Sequence, residues 1–234
     1  MKKLLISDYD CTINNNGISN RDIEKAHDFI DAGNVLIVAS SRTCKSLSDE
    51  MKKYKFPYNY LSCLNANVIF DDKNDLIYIN YLSSKEVELL KFIFSKIGSV
   101  KTIEPCGNNE TEKILYYKLI LEDSRRFVDE ILPLLNRYNF ETDYYGNVAY
   151  VFSGRKQKDY AAFIVGKKHL ITSNNTFSIG DGLNDLSMIK KYNGFTLPWG
   201  EQKVKEVALE EVSSFGDLVD KIEKGNCLVR RKIN

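Results

Sequence analysis

Two short apolar runs, KKLLIS at residues 2–7 and NVLIVAS at 34–40, bracket a helix-like stretch from Asn20 to Ala32. This alternation constrains the fold more than any other feature of the chain. Strands that are apolar throughout, without a polar residue at every second position, belong to sheets covered on both faces. Strands joined through a helix run parallel, and such sheets bind ligands at the carboxyl ends of their strands. The pattern predicts a further helix near Thr43 to Lys53, a strand near Tyr60 to Leu64, and a hairpin of NVIF and DLIYI turning about Asp71 to Asn74.

From about Leu82 to Phe152 the texture changes. A helix at Ser84 to Ile97, strands at Val100 to Ile103 and Ile114 to Leu121, a helix at Ser124 to Tyr138, and two strands about Tyr145-Gly146-Asn147 make an α+β pattern with an antiparallel sheet. The earlier pattern then resumes: helix from Asp159 to Val165, strand TFSIG, helix from Asp185 to Tyr192, strand GFTLP. The expected architecture is an α/β, Rossmann-like parallel sheet core with helices on both faces, built from residues 1–80 and 154–234. An α+β domain is inserted at 81–153.

Composition narrows the function classes. Lys and Arg number 33 against 32 acids, so no broad basic field exists to attract nucleic acid. The apolar run before Asp8 is too short for a signal-peptide core or a membrane span. The five cysteines (Cys11, Cys44, Cys63, Cys106, Cys227) are scattered and form no C-x-x-C pair, which reads as reduced thiols in a cytoplasmic protein. A monomer or small homo-oligomer acting on a small molecule is the expectation.

The chemistry lies in two acidic motifs. Asp8-Tyr9-Asp10-Cys11-Thr12 follows the first strand directly, and in extended chain Asp8 and Asp10 point to one side. Gly180-Asp181-Gly182-Leu183-Asn184-Asp185 repeats the arrangement after TFSI. Either motif alone reads equally well as a turn with an acidic helix cap. Both together, each at a strand end, bring four carboxylates to one edge, an arrangement that is costly without a cation or a shared proton. His27 and His169, the two histidines, lie far from either motif in sequence and read as surface or helix-end residues.

The pair of motifs resembles the haloacid dehalogenase superfamily, whose first motif is D-x-D-x-T and whose fourth is commonly G-D-x-x-N-D. Two further motifs should then exist, and the chain supplies Ser40 at the end of the second strand and Lys158 in KDYAAF, 23 positions before Asp181. Ser41 is the alternative to Ser40, and Lys156 and Arg155 are the alternatives to Lys158. Thr12 and Ser40 are 28 residues apart, room for a helix and a strand, whereas Ser40 and Lys158 are 118 apart and leave a surplus of roughly 70 residues. That insertion point, with LNANVIFDD before it, is similar to the Cof-type family with a C2-type cap.

The resemblance implies a phosphatase dependent on Mg²⁺ and acting on a small phosphomonoester such as a sugar phosphate. Asp8 would be the nucleophile and Asp10 the general acid and base. Ser40, Lys158 and Asn184 would hold the phosphoryl oxygens. The metal would be held by the Asp8 and Asp181 carboxylates and the Asp10 backbone carbonyl, with Asp185 orienting the outer shell and Thr12 supporting it. The helix start after Asp181 is expected to add a favourable dipole for anions. Substrate contacts are expected from the loop Glu104 to Lys113 and from Tyr144 to Asn147. A phosphotransferase using the same acyl-phosphate, and a receiver-like phosphate or metal sensor, are the competing readings.

Three departures from the family pattern stand out. Cys11 replaces the glycine of D-x-D-G-T, and a glycine there could have supplied a positive φ. Ser41 replaces the glycine of T-G-R. Pro198-Trp199-Gly200 stands where the family often has Gly-Asn-Ala.

Overall fold

The computed structural model describes residues 1–96, 100–108, 111–227 and 229–230. In chain order the elements begin with β1 (Leu4–Asp8), α1 (Asn20–Asp31), β2 (Val35–Ala39), α2 (Cys44–Tyr54), β3 (Tyr60–Cys63), β4 (Val68–Asp71) and β5 (Leu76–Ile79). The middle of the chain forms α3 (Ser84–Ser95), β6 (Val100–Asn108), β7 (Lys113–Leu121), α4 (Ser124–Arg126), a π-helical turn (Phe127–Ile131), α5 (Leu132–Arg137), β8 (Phe140–Tyr145) and β9 (Val148–Ser153). It closes with α6 (Asp159–His169), β10 (Thr176–Ile179), a 3₁₀ turn (Leu183–Asp185), α7 (Leu186–Lys191), β11 (Asn193–Thr196), α8 (Gln202–Lys205), β12 (Glu210–Glu211) and α9 (Phe215–Glu223). Two compact units result: Met1–Tyr78 with Gln157–Asn234, and Ile79–Lys156. Among the described residues no helix is long and apolar enough to cross a membrane.

The first unit carries a sheet ordered β12-β11-β10-β1-β2-β3-β4-β5. It is parallel from β12 to β3, as the unbroken apolar runs require. At β3 the sheet turns mixed, because β4 returns antiparallel with Cys63 opposite Val68. β1 lies in the middle, between β10 (Leu4 opposite Thr176) and β2 (Leu4 opposite Val35). All five of its residues are buried, so Asp8 emerges from a fully enclosed strand. On one face Leu4, Ile6, Val35 and Ile37 pack with Ala161, Val165, Met188 and Ile189 of α6 and α7.

Helix starts follow local chemistry. Ser19 and Thr43 accept from Asp22 N and Ser46 N at the starts of α1 and α2, satisfying amide groups that the first turn leaves open. One stretch breaks the ordinary backbone rules: Leu64, Asn65 and Ala66, directly after β3, all have φ between 49° and 67°. Each such residue costs about 1–2 kcal/mol. Leu64 N and Asn65 N donate to Arg42 O (3.0 Å) and Ser40 O (3.1 Å), so this turn is tied to the loop after β2.

The second unit is an antiparallel sheet, β6-β7-β9-β8, with α3, the π turn and α5 on one face. Tyr117, Leu119, Leu121, Ala149 and Val151 alternate inward along β7 and β9 and meet Leu90, Phe94, Phe127, Ile131 and Leu135. Two expectations need correction. β6 continues to Asn108, so residues 104–108 belong to a strand and not to a loop; residues 109–110, and Ile97 at the expected end of α3, lie outside the described residues. β6 tolerates Pro105 because it is an edge strand, paired on one side only. The helix expected over 124–138 is interrupted by the π turn. Pro133 at the start of α5 has no amide hydrogen to donate, and the preceding turn widens where that bond is lost.

Candidate active site

The three residues that lead from β1 into the loop after it find separate partners. Tyr9 donates from its hydroxyl to Glu50 Oε2 at 2.6 Å and accepts from Asn14 Nδ2 at 2.8 Å. Asp8 is 5% exposed. The Lys158 ammonium, wholly buried at the start of α6, donates to Asp8 Oδ1 at 2.6 Å and to Asp185 Oδ1 at 2.7 Å. A buried ammonium is tolerated only when opposite charge and hydrogen bonds meet it, and here two carboxylates do so.

Asp185 is itself fully committed. Its Oδ2 accepts from Asp181 N and Gly182 N, each at 3.0 Å, and it comes so close to Gly180 that a Cβ there would collide with it. This arrangement corrects one expectation. The chain does not offer an open helix start to an anion, because Asp185 has taken the first amides and the Leu183 amide donates to Glu201 Oε1 at 3.1 Å. The helix that follows, α7, is only six residues long.

Thr12 Oγ1 donates to Asp181 Oδ1 at 2.7 Å, joining the two acidic loops. Carboxylate oxygens of Asp8, Asp181 and Asp185 lie within 4.8 Å of one another. The donor set is all oxygen, which suits a hard divalent cation. Since both Asp185 oxygens are engaged, Asp8 and Asp181 are the two carboxylates left to offer an oxygen to a cation. Burial, then the Asp185 charge, holds Asp8 well above the usual carboxylate range despite Lys158. Burial also raises Asp181, against the Thr12 hydrogen bond. Burial alone would lower Lys158, but Asp185 and Asp8 outweigh it and hold the ammonium above the ordinary lysine range. A cation between Asp8 and Asp181 would relieve the repulsion these shifts express.

Asp10 belongs to a second cluster that sequence reading did not foresee. The Arg42 guanidinium grips it in a fork, Nη2 to Oδ1 at 2.6 Å and Nε to Oδ2 at 2.9 Å, and Ser40 Oγ donates to Oδ2 at 3.2 Å. Arg42 Cζ also lies 5.4 Å from the Tyr9 ring centre. Ser40 is buried where Ser41 is half-buried. Arg155 is committed elsewhere, to Glu86 and Ser153, and Lys156 is half-buried in the same unit. Asn184 is exposed on the 3₁₀ turn, its Oδ1 set over Gly182. His169 ends α6 and shares a 2.7 Å hydrogen bond with Tyr60; His27 is exposed on α1. Neither reaches the carboxylates.

Cys11 has φ 59°, the left-handed conformation that a glycine would have adopted without strain. Burial first, and then the charges of Asp181, Asp10 and Asp8, raise its thiol, which keeps thiolate scarce. Its carbonyl accepts from Trp199 Nε1 at 2.7 Å.

Comparison with known proteins adds breadth to this local picture. The profile of a family described as haloacid dehalogenase-like hydrolase matches residues 5–105 and 98–215. No curated protein matches significantly. Among solved structures, a HAD/COF-like hydrolase from Plasmodium vivax superposes with TM-score 0.74 at 15% identity, covering 95% of this chain and 96% of its own. A phosphatase of the haloalkanoate superfamily from Bacteroides thetaiotaomicron gives 0.73 at 15%, covering 96% and 95%. A sugar phosphatase of subclass IIB gives 0.72 at 17%, covering 97% and 100%. At these identities the likeness speaks for the fold, with its antiparallel cap domain.

Proposed function

The chain belongs to the haloacid dehalogenase-like hydrolases, a family of phosphoryl-transfer enzymes, and from that membership we propose that it is a Mg²⁺-dependent phosphatase hydrolysing a small phosphomonoester, foremost a sugar phosphate, through an aspartyl-phosphate on Asp8. The observation that carries this reading is the buried Lys158 bridging Asp8 and Asp185, with Asp181 beside them. An anionic nucleophile can meet an anionic phosphate only where positive charge is already fixed. Mg²⁺, held by the Asp8 and Asp181 carboxylates and the Asp10 carbonyl, would supply the rest of that charge.

Asp8 Oδ attacks phosphorus in line, forming the acyl-phosphate as the bond to the leaving oxygen breaks. Asp10 gives its proton to the departing alkoxide and then takes one from the water that cleaves the acyl-phosphate. Arg42 and Ser40 fix the plane of the Asp10 carboxylate in its ionised form, the form that takes the proton from the water. Lys158, Ser40 and Asn184 would hold the phosphoryl oxygens, while Asp185 holds Lys158 and the Asp181 loop in place. The preference for a sugar phosphate draws on the likeness to the subclass IIB sugar phosphatase.

The test is phosphate release from a panel of sugar phosphates, nucleotides and cofactor phosphates, with Mg²⁺ and with EDTA. Selective release that EDTA abolishes is expected. Transfer of labelled phosphate to a second sugar, in place of release, would establish a phosphotransferase instead.

A further inference from the structure

Trp199 and Cys11 occupy two of the positions where this chain leaves its family's pattern, and they touch. Cys11 sits between Asp10 and Thr12 with its backbone left-handed, φ 59°. A residue with a Cβ holds that conformation only when its surroundings over-determine it. Two hydrogen bonds do so, one on each side of the Cys11 α-carbon. Cys11 N donates to Asn14 O at 2.9 Å, fixing the peptide that carries the Asp10 carbonyl. Trp199 Nε1 donates to Cys11 O at 2.7 Å, fixing the next.

The loop that carries the indole is in turn held in place. Glu201 N donates to Asp181 O at 2.8 Å, Lys205 Nζ donates to Pro198 O, and Gly200 packs so tightly on Thr196 that a side chain there would collide. Trp199 is 47% exposed, so core packing does not account for it.

We infer that Trp199 is a positioning residue: its indole N–H holds Cys11 in the left-handed conformation and thereby aims Asp8 and Asp10. The tryptophan does the work that a glycine's freedom would do at position 11. The inference rests on the phosphatase reading for its catalytic consequence, while the tether itself is open to a test that needs no turnover.

The experiment is a cycle of Trp199→Phe, which keeps the ring and loses the donor, in three backgrounds: unchanged, Cys11→Gly and Cys11→Ala. With p-nitrophenyl phosphate as probe, Trp199→Phe should lower kcat about tenfold and leave KM within about twofold, since misplacement by an ångström costs about 10²-fold. The same loss is expected in Cys11→Ala, which keeps the Cβ but not the thiol. In Cys11→Gly the loss should shrink to about threefold or less, because the strained residue is gone and the pair no longer couples. Equal losses in all three backgrounds, or none in any, would overturn the inference. A wild-type enzyme that turns over no phosphate ester would sink the phosphatase reading instead. The tether would then be decided by the rise in melting temperature that Mg²⁺ produces. Trp199→Phe should shrink that rise with Cys or Ala at position 11 and leave it unchanged with Gly; an unchanged rise throughout would overturn it.

Discussion

Lys158 is the residue on which the site's charge balance turns. Replacing it with Met leaves Asp8 and Asp185 buried without their counter-charge, which should cost about 3–5 kcal/mol of stability, measured by urea denaturation. Asp8→Asn takes away the proposed nucleophile and at the same time removes the buried charge that desolvation, and then repulsion from Asp185, disfavour. Turnover should therefore vanish while the melting temperature without Mg²⁺ is retained. Near-normal activity in that variant would remove Asp8 from its role. Arg42→Lys keeps the charge but loses the fork on Asp10, and a fall in kcat of about 100-fold is expected, the lower end of what positioned proton transfer contributes. Asp8, Asp181 and Asp185 were legible in the sequence because each follows an apolar strand at a definite spacing. The Arg42–Asp10 and Trp199–Cys11 pairs were not, since no periodicity links positions 32 or 188 residues apart.

Among the elements, α3 shows how much one capping residue can gather. Glu86 accepts from Ser83 N and Oγ in a reciprocal capping box and also from Ser153 Oγ and Arg155 Nε, tying the start of α3 to the end of β9. Burial would raise its pKa, but the hydrogen bonds from Ser153 and Ser83 and the Arg155 charge together depress it. A depressed carboxylate contributes stability that is present above its unfolded pKa and lost as pH falls through the folded value. Glu86→Gln should therefore lower the melting temperature at neutral pH and converge with the unchanged protein below the ordinary glutamate range. A constant gap across that range would contradict the assignment. β1, β2 and β10 could be located from sequence because they are apolar throughout. β6 was read short because most of its residues face solvent, and only pairing with β7 holds them in a strand.

For the whole molecule, a cation bound by the native acid cluster and not by the unfolded chain must stabilise the fold, by about 2.7 kcal/mol at a hundredfold excess over Kd. Millimolar Mg²⁺ should raise the melting temperature, and EDTA should reverse the rise; an unchanged temperature would undo the proposed ligand set. Residues 79–156 have a hydrophobic cluster of their own, so that segment expressed alone should unfold cooperatively when followed by circular dichroism. The first unit also has a hydrophobic cluster of its own, but it is assembled from two segments of the chain: its central strand β1 pairs with β10 from beyond the insertion, Leu4 beside Thr176. During synthesis at about 5–20 residues per second, β1 stands with one edge unpaired for on the order of 10–35 seconds. Asp8 is translated long before Lys158 and Asp185. The proposed nucleophile therefore leaves the ribosome early, on a sheet that stays half-made until β10 has followed it.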